Sequence, residues 1–390
     1  MRFRHADGSV VHLAYCTNVH PAEDLDGVLG QLRRFAGPIR ERLGADRLGL
    51  GLWLSRPVCD ALIEGPGHVA RLREALREEG LEVVTFNGFP YQGFHGDPAG
   101  ASKLRVYHPD WTTPDRLRYT LDLARVLAGL LPGDVAAGSI STLPLAWRDP
   151  WTPERAETAA AALDELAAGL AQVAADTGRL IRVGFEPEPG CVVETTAQAA
   201  EHLGRADHDH LGVCLDACHL AVQFEDPREA LRRLAGAGLP VVKLQASCAL
   251  RVDDPADPAA RAALAEFDEP RFLHQTRERG RPGGTDDLGE ALDGGLPAAA
   301  PWAVHFHVPL HARPAPPLDS TQDVLDATLR ELLGGPAALT RHVEVETYTW
   351  QALPADRRPR TDEELAGGIA LELAWIRDRL LDLGLKEEAT

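Results

Sequence analysis

The chain has 390 residues, of which 44% are hydrophobic and 25% charged, and a formal net charge of −19 at pH 7. This composition is typical of a folded globular protein, and the negative charge argues against nucleic-acid binding because phosphate backbones would be repelled. No run of 18 apolar residues predicts an integral membrane segment. The six cysteines form no CxxC pair and follow no leader-like apolar segment, so we expect free thiols and a cytoplasmic location.

Strand-like and helix-like segments alternate along the whole sequence. The predicted strands are almost continuous apolar runs, as expected when both faces of a parallel sheet are covered. They cover residues 11–17, 48–54, 81–87, 135–141, 180–186, 211–216, 240–246, 303–308 and 341–347. Helical patterns lie between them, over residues 22–43, 57–79, 114–131, 153–176, 195–205, 226–237, 320–334 and 361–384.

Helix start signals support these boundaries. Two helices are predicted to begin with a threonine followed by proline, at 113–114 and 152–153. Three more begin with capping-box patterns, Thr195-x-x-Gln198, Asp226-x-x-Glu229 and Thr361-x-x-Glu364. Nine strands with helices between them favour a closed (β/α)8 TIM barrel with one extra strand. An open Rossmann sheet is disfavoured because no GxGxxG turn follows the first strand.

We predict one α/β barrel domain over residues 1–390, because no linker separates two cores. Two segments are too long for simple connections. Residues 88–111 are rich in aromatic residues and glycine and are predicted to form a lid-like loop. Residues 249–302 are predicted to form an insertion after the seventh strand, in which 272–276 folds back over the mouth of the barrel.

Side chains that bind metals or transfer protons recur where the predicted strands end. The carboxyl ends of barrel strands meet at one mouth, so these side chains are expected to converge. The last polar residue of each run lies nearest the mouth, which selects Glu186 or Glu188, Asp216, Gln245, His305 or His307, and Glu346. Oxygen ligands with one imidazole suit Mn²⁺, Mg²⁺ or Co²⁺, with Zn²⁺ as an alternative.

Other polar side chains just after strands, or in the two long segments, are candidates for binding a small-molecule substrate. They are His20 (with Asn18 beside it), Asn87, Tyr91, His95, Glu188 and His274. A polar loop cap explains Asn18 and His20 equally well. Asp216 also has the simpler interpretation of a helix cap followed by a buried histidine.

The order of these elements resembles the xylose isomerase-like barrel superfamily, with residues 181–219 and 342–350 the most specific. That superfamily includes sugar epimerases and the endonuclease IV type of metal-dependent enzyme. Four runs look like the metabolite traffic protein (EboE-like) family of the ebo operon: 185–191, 243–247, 305–310 and 344–350. The resemblance implies an enzyme of the isomerase/epimerase type that acts on a small polyhydroxylated metabolite in an ebo-type pathway. It also implies partners encoded in the same operon, and it is compatible with a homo-oligomer.

The resemblance also assigns roles. Glu186, Asp216 and Glu346 would be the metal ligands of the fifth, sixth and eighth strands. The two glutamates would exchange a proton on either side of the substrate carbon, while the metal polarises the neighbouring carbonyl. His219 would bind substrate or a second metal.

The chain departs from the superfamily pattern at the seventh strand, which usually supplies a histidine ligand and here carries Gln245. Either the Gln245 amide oxygen or an imidazole of His305 or His307 would complete the metal site. Lys243 could then stabilise a developing oxyanion.

Two other functions stay open. A metal-dependent hydrolase of the phosphodiesterase type would need two or three metals, for which histidines 219, 274, 305 and 307 could serve as ligands. A non-catalytic component of metabolite export would bind a small molecule without converting it, because a fold does not fix a function.

Overall fold

The computed structural model describes residues 1–65, 67–96 and 103–388, so residues 97–102 of the predicted lid-like loop lie outside it. Eight strands form the barrel: β1 Val10–Cys16, β2 Leu48–Trp53, β3 Leu81–Asn87, β4 Ala137–Thr142, β5 Leu180–Phe185, β6 Leu211–Asp216, β7 Val241–Ala246 and β8 His342–Val345. Every neighbouring pair is parallel, and β8 pairs with both β7 and β1. The ring is therefore closed, and the predicted (β/α)8 barrel is confirmed.

Helices surround the barrel. The α-helices are Leu25–Gln31, Gly37–Leu43, Arg56–Glu64, His68–Glu78, Pro114–Leu130, Pro153–Thr177, Thr196–Leu203, Ala217–Val222, Pro227–Gly236, Pro258–Ala265, Leu288–Glu290, Gln322–Leu333 and Asp362–Asp382. Short 3₁₀ or π turns cover Thr17–Val19, Leu32–Ala36, Lys103–Tyr107, Ala291–Gly295 and Tyr348–Gln351. The single helix predicted over 57–79 is two helices, because a Gly-Pro-Gly sequence at 65–67 interrupts it.

The predicted caps explain where four of the helices begin. Thr195 forms a complete capping box with Gln198. The side chains of Thr152, Asp226 and Thr361 each accept a hydrogen bond from the backbone N–H three residues later. Thr113 makes no such bond.

The extra strand, predicted over 303–308, does not belong to the barrel. Trp302–Val304 joins a separate five-stranded antiparallel sheet with Leu250–Val252, Thr276–Glu278, Gly284–Thr285 and Leu318–Ser320. This sheet follows β7 in the chain, and the segment that carries His305 and His307 leaves it directly. The chain thereby returns to the mouth of the barrel between β7 and β8.

The opposite end of the barrel is covered by the strand Arg2–Arg4, which pairs antiparallel with β1 and with Lys386–Glu387. All six cysteines are free and buried, as expected for small core residues. Within the described part of the chain, no helix combines the length and the apolar character that crossing a bilayer demands.

Candidate active site and metal centre

A cavity of about 910 Å³, including its open mouth, lies at the carboxyl ends of the barrel strands. Its lining brings together residues from β3, β5 and β8 and from the insertion after β7. The predicted site residues among them are Asn87, His95, Glu186, Glu188, His219, His305, His307 and Glu346. This is the place where a TIM barrel carries its chemistry.

Three carboxylates converge at the base of this cavity: Glu186 and Glu346 line it, and Asp216 lies beside them without lining it. Glu186 follows β5, Asp216 ends β6, and Glu346 follows β8; all three are buried. One oxygen of each lies within 4.8 Å of the others. Among the described residues, Glu186 Oε2 and Asp216 Oδ2 have no hydrogen-bond partner. Buried carboxylate oxygens that face one another unpaired are unfavourable unless a proton or a cation lies between them.

The pKa values reflect this crowding. Burial, and then the charges of Glu346 and Asp216, raises the pKa of Glu186 well above its ordinary value. Burial and the charge of Asp216 raise the pKa of Glu346 to about 8. Carboxyl groups that share one site cannot all ionise without a counter-charge.

Two amides fix the orientation of Glu346. Asn18 and Asn87 each donate a hydrogen bond from Nδ2 to Glu346 Oε1 at 2.8 Å. This oxygen is therefore committed to the amides, and the other oxygen of the carboxylate is the one left for chemistry. Asn18 belongs to the site by this contact, whereas His20 does not line the cavity. The His20 ring instead stacks on Phe35 at 4.2 Å.

Three imidazoles form a second cluster beside the carboxylates. Their Nδ1–H groups donate to oxygen atoms: His219 to Pro187 O at 2.9 Å, His305 to Gln275 Oε1 at 2.7 Å and His307 to Glu346 O at 2.7 Å. Because the proton of each neutral ring is on Nδ1, each Nε2 is unprotonated and has a free lone pair. The Nε2 atoms of His219 and His305 are 3.1 Å apart, and those of His305 and His307 are 3.3 Å apart.

Neither Nε2 atom of such a pair carries a proton that it could donate to the other. The imidazole cluster therefore also fits a cation, to which both lone pairs could bind. Burial lowers the pKa of His219 to about 4 and that of His305 well below its ordinary value, which keeps the rings neutral. Glu188 Oε2 lies 3.0 Å from His219 Nε2 and adds a carboxylate to the cluster. Histidine ligands whose other nitrogen is held by a carbonyl oxygen are typical of protein metal sites.

Asp216 connects the two clusters. Its Oδ1 accepts hydrogen bonds from the His219 backbone N–H and from Ser247 Oγ, both at 2.8 Å, so it does cap the helix Ala217–Val222. One oxygen of Asp216 also lies within 4.8 Å of nitrogen atoms of His219 and His307. The cap and the ligand interpretations of Asp216 are thus compatible.

Two residues outside the predicted set orient the imidazole cluster. Gln275 Nε2 donates to Tyr107 OH at 3.0 Å and to Pro189 O at 2.8 Å, which turns its amide oxygen towards His305. Tyr107 OH in turn donates to Glu188 Oε1 at 2.9 Å. No sequence motif identifies either residue as part of the site, because their roles depend on contacts between distant segments.

The seventh-strand residues are buried below the cavity. Lys243 Nζ lies 2.8 Å from Glu344 Oε1, and both side chains are fully buried. Burial lowers the pKa of Lys243, but Glu344 together with the neighbouring Cys214 and Cys16 raises it above its ordinary value, so the lysine stays charged. Neither Lys243 nor Gln245 lines the cavity. The amide atoms of Gln245 have no hydrogen-bond partner among the described residues.

The remaining predicted residues differ in position. His95 lines the cavity and donates from Nε2 to Asn18 O at 2.6 Å. Tyr91 packs against Tyr119, with ring centroids 5.0 Å apart, and does not line the cavity. His274 lies behind the site, where its Nδ1 donates to His305 O at 3.0 Å.

The closed parallel barrel with polar strand ends at one mouth defines a TIM-barrel protein. The model of the family of xylose isomerase-like TIM barrels matches residues 42–259. This is more than half of the chain, and the chain therefore belongs to that family.

One solved structure supports this fold, and two further ones are similar over most of their length. A xylose isomerase-like TIM barrel protein from Mycobacterium smegmatis in complex with magnesium is 14% identical, with 96% of this chain and 99% of that chain covered and a TM-score of 0.52. An L-ribulose 3-epimerase is 15% identical, with 96% and 95% covered and a TM-score of 0.48. A 3-keto-D-glucoside 4-epimerase from E. coli is 16% identical, with 94% and 99% covered and a TM-score of 0.44. The search of curated proteins found no match.

Proposed function

We propose that this chain is a divalent-metal-dependent isomerase or epimerase that acts on a small polyhydroxylated metabolite. The observation that carries the proposal is the convergence of Glu186, Asp216 and Glu346 at the mouth of the barrel. Among the described residues, none of the three has a Lys or Arg within ion-pair distance. Membership of the xylose isomerase-like family supports the same assignment.

The donor set fits a hard divalent cation. Glu186, Asp216 and Glu346 would hold it through carboxylate oxygens, and Gln245 offers a buried, unpartnered amide oxygen as a neutral ligand. Such oxygen ligands suit Mn²⁺, Mg²⁺ or Co²⁺, and Zn²⁺ binds carboxylates as well. A bound ion would supply Lewis-acid polarisation of a substrate carbonyl.

The glutamates of the cluster are suited to proton transfer. A carboxylate with a raised pKa is an effective general base or acid near neutral pH. In the proposed reaction, one glutamate removes the proton from a carbon that bears a hydroxyl next to the carbonyl, and the other returns a proton on the opposite face. Asn18 and Asn87 hold Glu346 still during this exchange because both donate to its Oε1.

The first test is the metal content of protein purified without chelator, measured by plasma mass spectrometry. We expect about one divalent ion per chain from the carboxylate cluster, and its loss in Asp216→Ala. Asp164→Ala is the matched control, because Asp164 is an exposed carboxylate on the helix Pro153–Thr177. A chain that binds no Mn²⁺, Co²⁺, Mg²⁺ or Zn²⁺ while its melting curve stays normal would refute the proposal.

The second test is solvent deuterium exchange. Metal-loaded protein is incubated in D2O with a panel of ketoses, ketohexosides and cyclitol ketones, and incorporation at carbon is followed by NMR. We expect one substrate class to exchange a carbon-bound proton, and Glu346→Gln to abolish the exchange. Retained metal in that variant with unchanged exchange would remove Glu346 from the mechanism.

The imidazole cluster favours a second candidate, a metal-dependent hydrolase of the phosphodiesterase type. His219, His305 and His307 together with Glu188 could hold a further ion, and Asp216 lies between this cluster and the carboxylates. Two ions a few ångströms apart can activate water and stabilise a leaving oxygen. Two metals per chain and hydrolysis of a phosphodiester such as bis(4-nitrophenyl) phosphate would support this candidate over the first.

The finer assignment to an ebo-type pathway is part of the proposal and draws support from sequence runs that contain Glu186, His305, His307 and Glu346. A cytoplasmic location, operon-encoded partners and a homo-oligomer belong to the same proposal. So does a single domain with a lid over 88–111 and an insertion over 249–302. A non-catalytic role in metabolite export would instead give ligand binding without turnover.

A further inference from the structure

The wall of the cavity has a different chemistry from its floor. The floor consists of the carboxylates, imidazoles and amides described above, whereas one side of the wall is formed by Phe94, Phe272 and Tyr348. We refer to these three residues as the aromatic wall. Phe89 and Leu273 continue the apolar lining beside it.

The aromatic wall is built from three separate segments of the chain. Phe94 comes from the loop after β3, Phe272 from the insertion after β7, and Tyr348 from the turn after β8. Their ring centroids are 4.9 to 5.4 Å apart, mostly in edge-to-face contact. Tyr348 also lies 4.8 Å from the ring of His307, so the wall begins directly at the imidazole cluster.

Such a wall selects ligands by shape and polarity. A free monosaccharide presents only the small C–H face of its ring to aromatic side chains and would cover less of the wall than a planar apolar group. A planar apolar group stacks on aromatic rings and gains from the removal of both surfaces from water.

We propose that the substrate consists of an oxygen-rich group joined to an aromatic or other planar apolar body. The oxygen-rich group reaches the carboxylates and imidazoles on the floor, and the apolar body lies against the aromatic wall. This inference rests on the proposed function, because it takes the floor of the cavity as the place of metal binding and proton transfer.

The test compares two ligands that share one sugar and differ only in the group attached to it. Binding of 4-nitrophenyl β-D-glucopyranoside and methyl β-D-glucopyranoside to the metal-loaded chain is measured by calorimetry. We expect the aryl glycoside to bind at least about tenfold more tightly, because only its ring can use the wall. Phe272→Ala is expected to bring the two affinities to within about twofold of each other, with little change for the methyl glycoside.

Control variants separate stacking from general damage. Phe94→Leu keeps most of the side-chain volume and should also reduce the preference for the aryl glycoside. Phe224 lies outside the cavity, so Phe224→Ala should leave this preference unchanged. Equal affinities for the two glycosides, an unchanged preference in Phe272→Ala, or no binding of either ligand would each overturn the inference. A chain that binds no metal but retains a wall-dependent aryl preference would instead refute the proposed function and leave the stacking assignment intact.

Discussion

The two ends of the barrel both bury charged side chains, but only one end compensates them. At the amino-terminal end, Glu82 accepts hydrogen bonds from Arg2 at 2.8 Å and from His12 at 3.3 Å, and Arg2 also contacts Asp134 at 2.5 Å. At the mouth, no Lys or Arg among the described residues lies within ion-pair distance of Glu186, Asp216 or Glu346, and the donors to Glu346 and Asp216 are neutral. The same strand, β3, carries Glu82 near its start and Asn87 at its end.

The pKa shifts have opposite signs at the two ends. Burial would raise the pKa of Glu82, but the hydrogen bonds from His12 and Arg2 lower it below its ordinary value. Burial and neighbouring carboxylates raise the pKa of Glu346 to about 8. The two carboxylates are equally buried but differ in their surroundings: Glu82 has a counter-charge, whereas the pKa of Glu346 is raised by burial and by other carboxylates, as is typical of functional sites.

The largest expected effect is on activity, and it is confined to the mouth. Removal of a general acid or base costs about 10²–10⁴-fold in rate, so Glu346→Gln should lower kcat of the proton-exchange reaction by that factor. Glu82→Gln is equally buried but should leave kcat within about threefold in protein that is still folded at the assay temperature. Comparable losses of kcat in both variants would show that the two ends do not differ in function.

The second effect is a loss of stability, which we expect when the ion pair at the amino-terminal end is broken. Glu82→Gln leaves the buried Arg2 with only Asp134, and breaking a buried ion pair costs about 3 kcal/mol of unfolding free energy. Chemical denaturation measures this loss, and metal content should stay at the wild-type value. A loss below about 1 kcal/mol would mean that the pair behaves like an exposed one.

Much of this contrast can be predicted from sequence, because strand ends carry their own signals. The apolar runs that end in Glu186, Asp216 and Glu346 identify the barrel strands and the mouth together. The convergence of His305 and His307 with these carboxylates follows from their place between the last two barrel strands. The separate antiparallel sheet that delivers them has no comparable signature, since its strands are only two or three residues long.

Contacts between distant segments account for what the sequence does not reveal. Gln275 orients His305 across 30 positions of the chain, and a lone glutamine in a polar insertion gives no hint of this. Gly51 is another example. A Cβ there would lie 1.3 Å from Glu344 Oε2, so this glycine leaves the space that the Lys243–Glu344 pair occupies inside the barrel.

A third prediction concerns the metal-free protein. Glu186→Gln removes one of the crowded carboxyl groups, so it should stabilise the metal-free chain, opposite in sign to Glu82→Gln. Chemical denaturation in the presence of EDTA measures this, with the exposed Glu165→Gln as the control. Destabilisation by Glu186→Gln under these conditions would show that the carboxylates at the mouth already have a counter-charge.

The smallest effect is a pH dependence. The ordinary pKa of Glu346 is 4.5 and its folded value is about 8, so between these values the folded state holds a proton that the unfolded state has lost. Stability of the metal-free chain should therefore fall as pH rises, by about 1 kcal/mol per pH unit from this group. The N-terminal ammonium, Glu372 and the buried imidazoles also differ in protonation between the folded and unfolded states near this interval, so the comparison with Glu346→Gln, and not the slope alone, isolates the carboxylate. Denaturation across this interval should show a steeper fall for wild type than for Glu346→Gln. Parallel slopes would place the ionisation of Glu346 outside the interval and would weaken its role as the base.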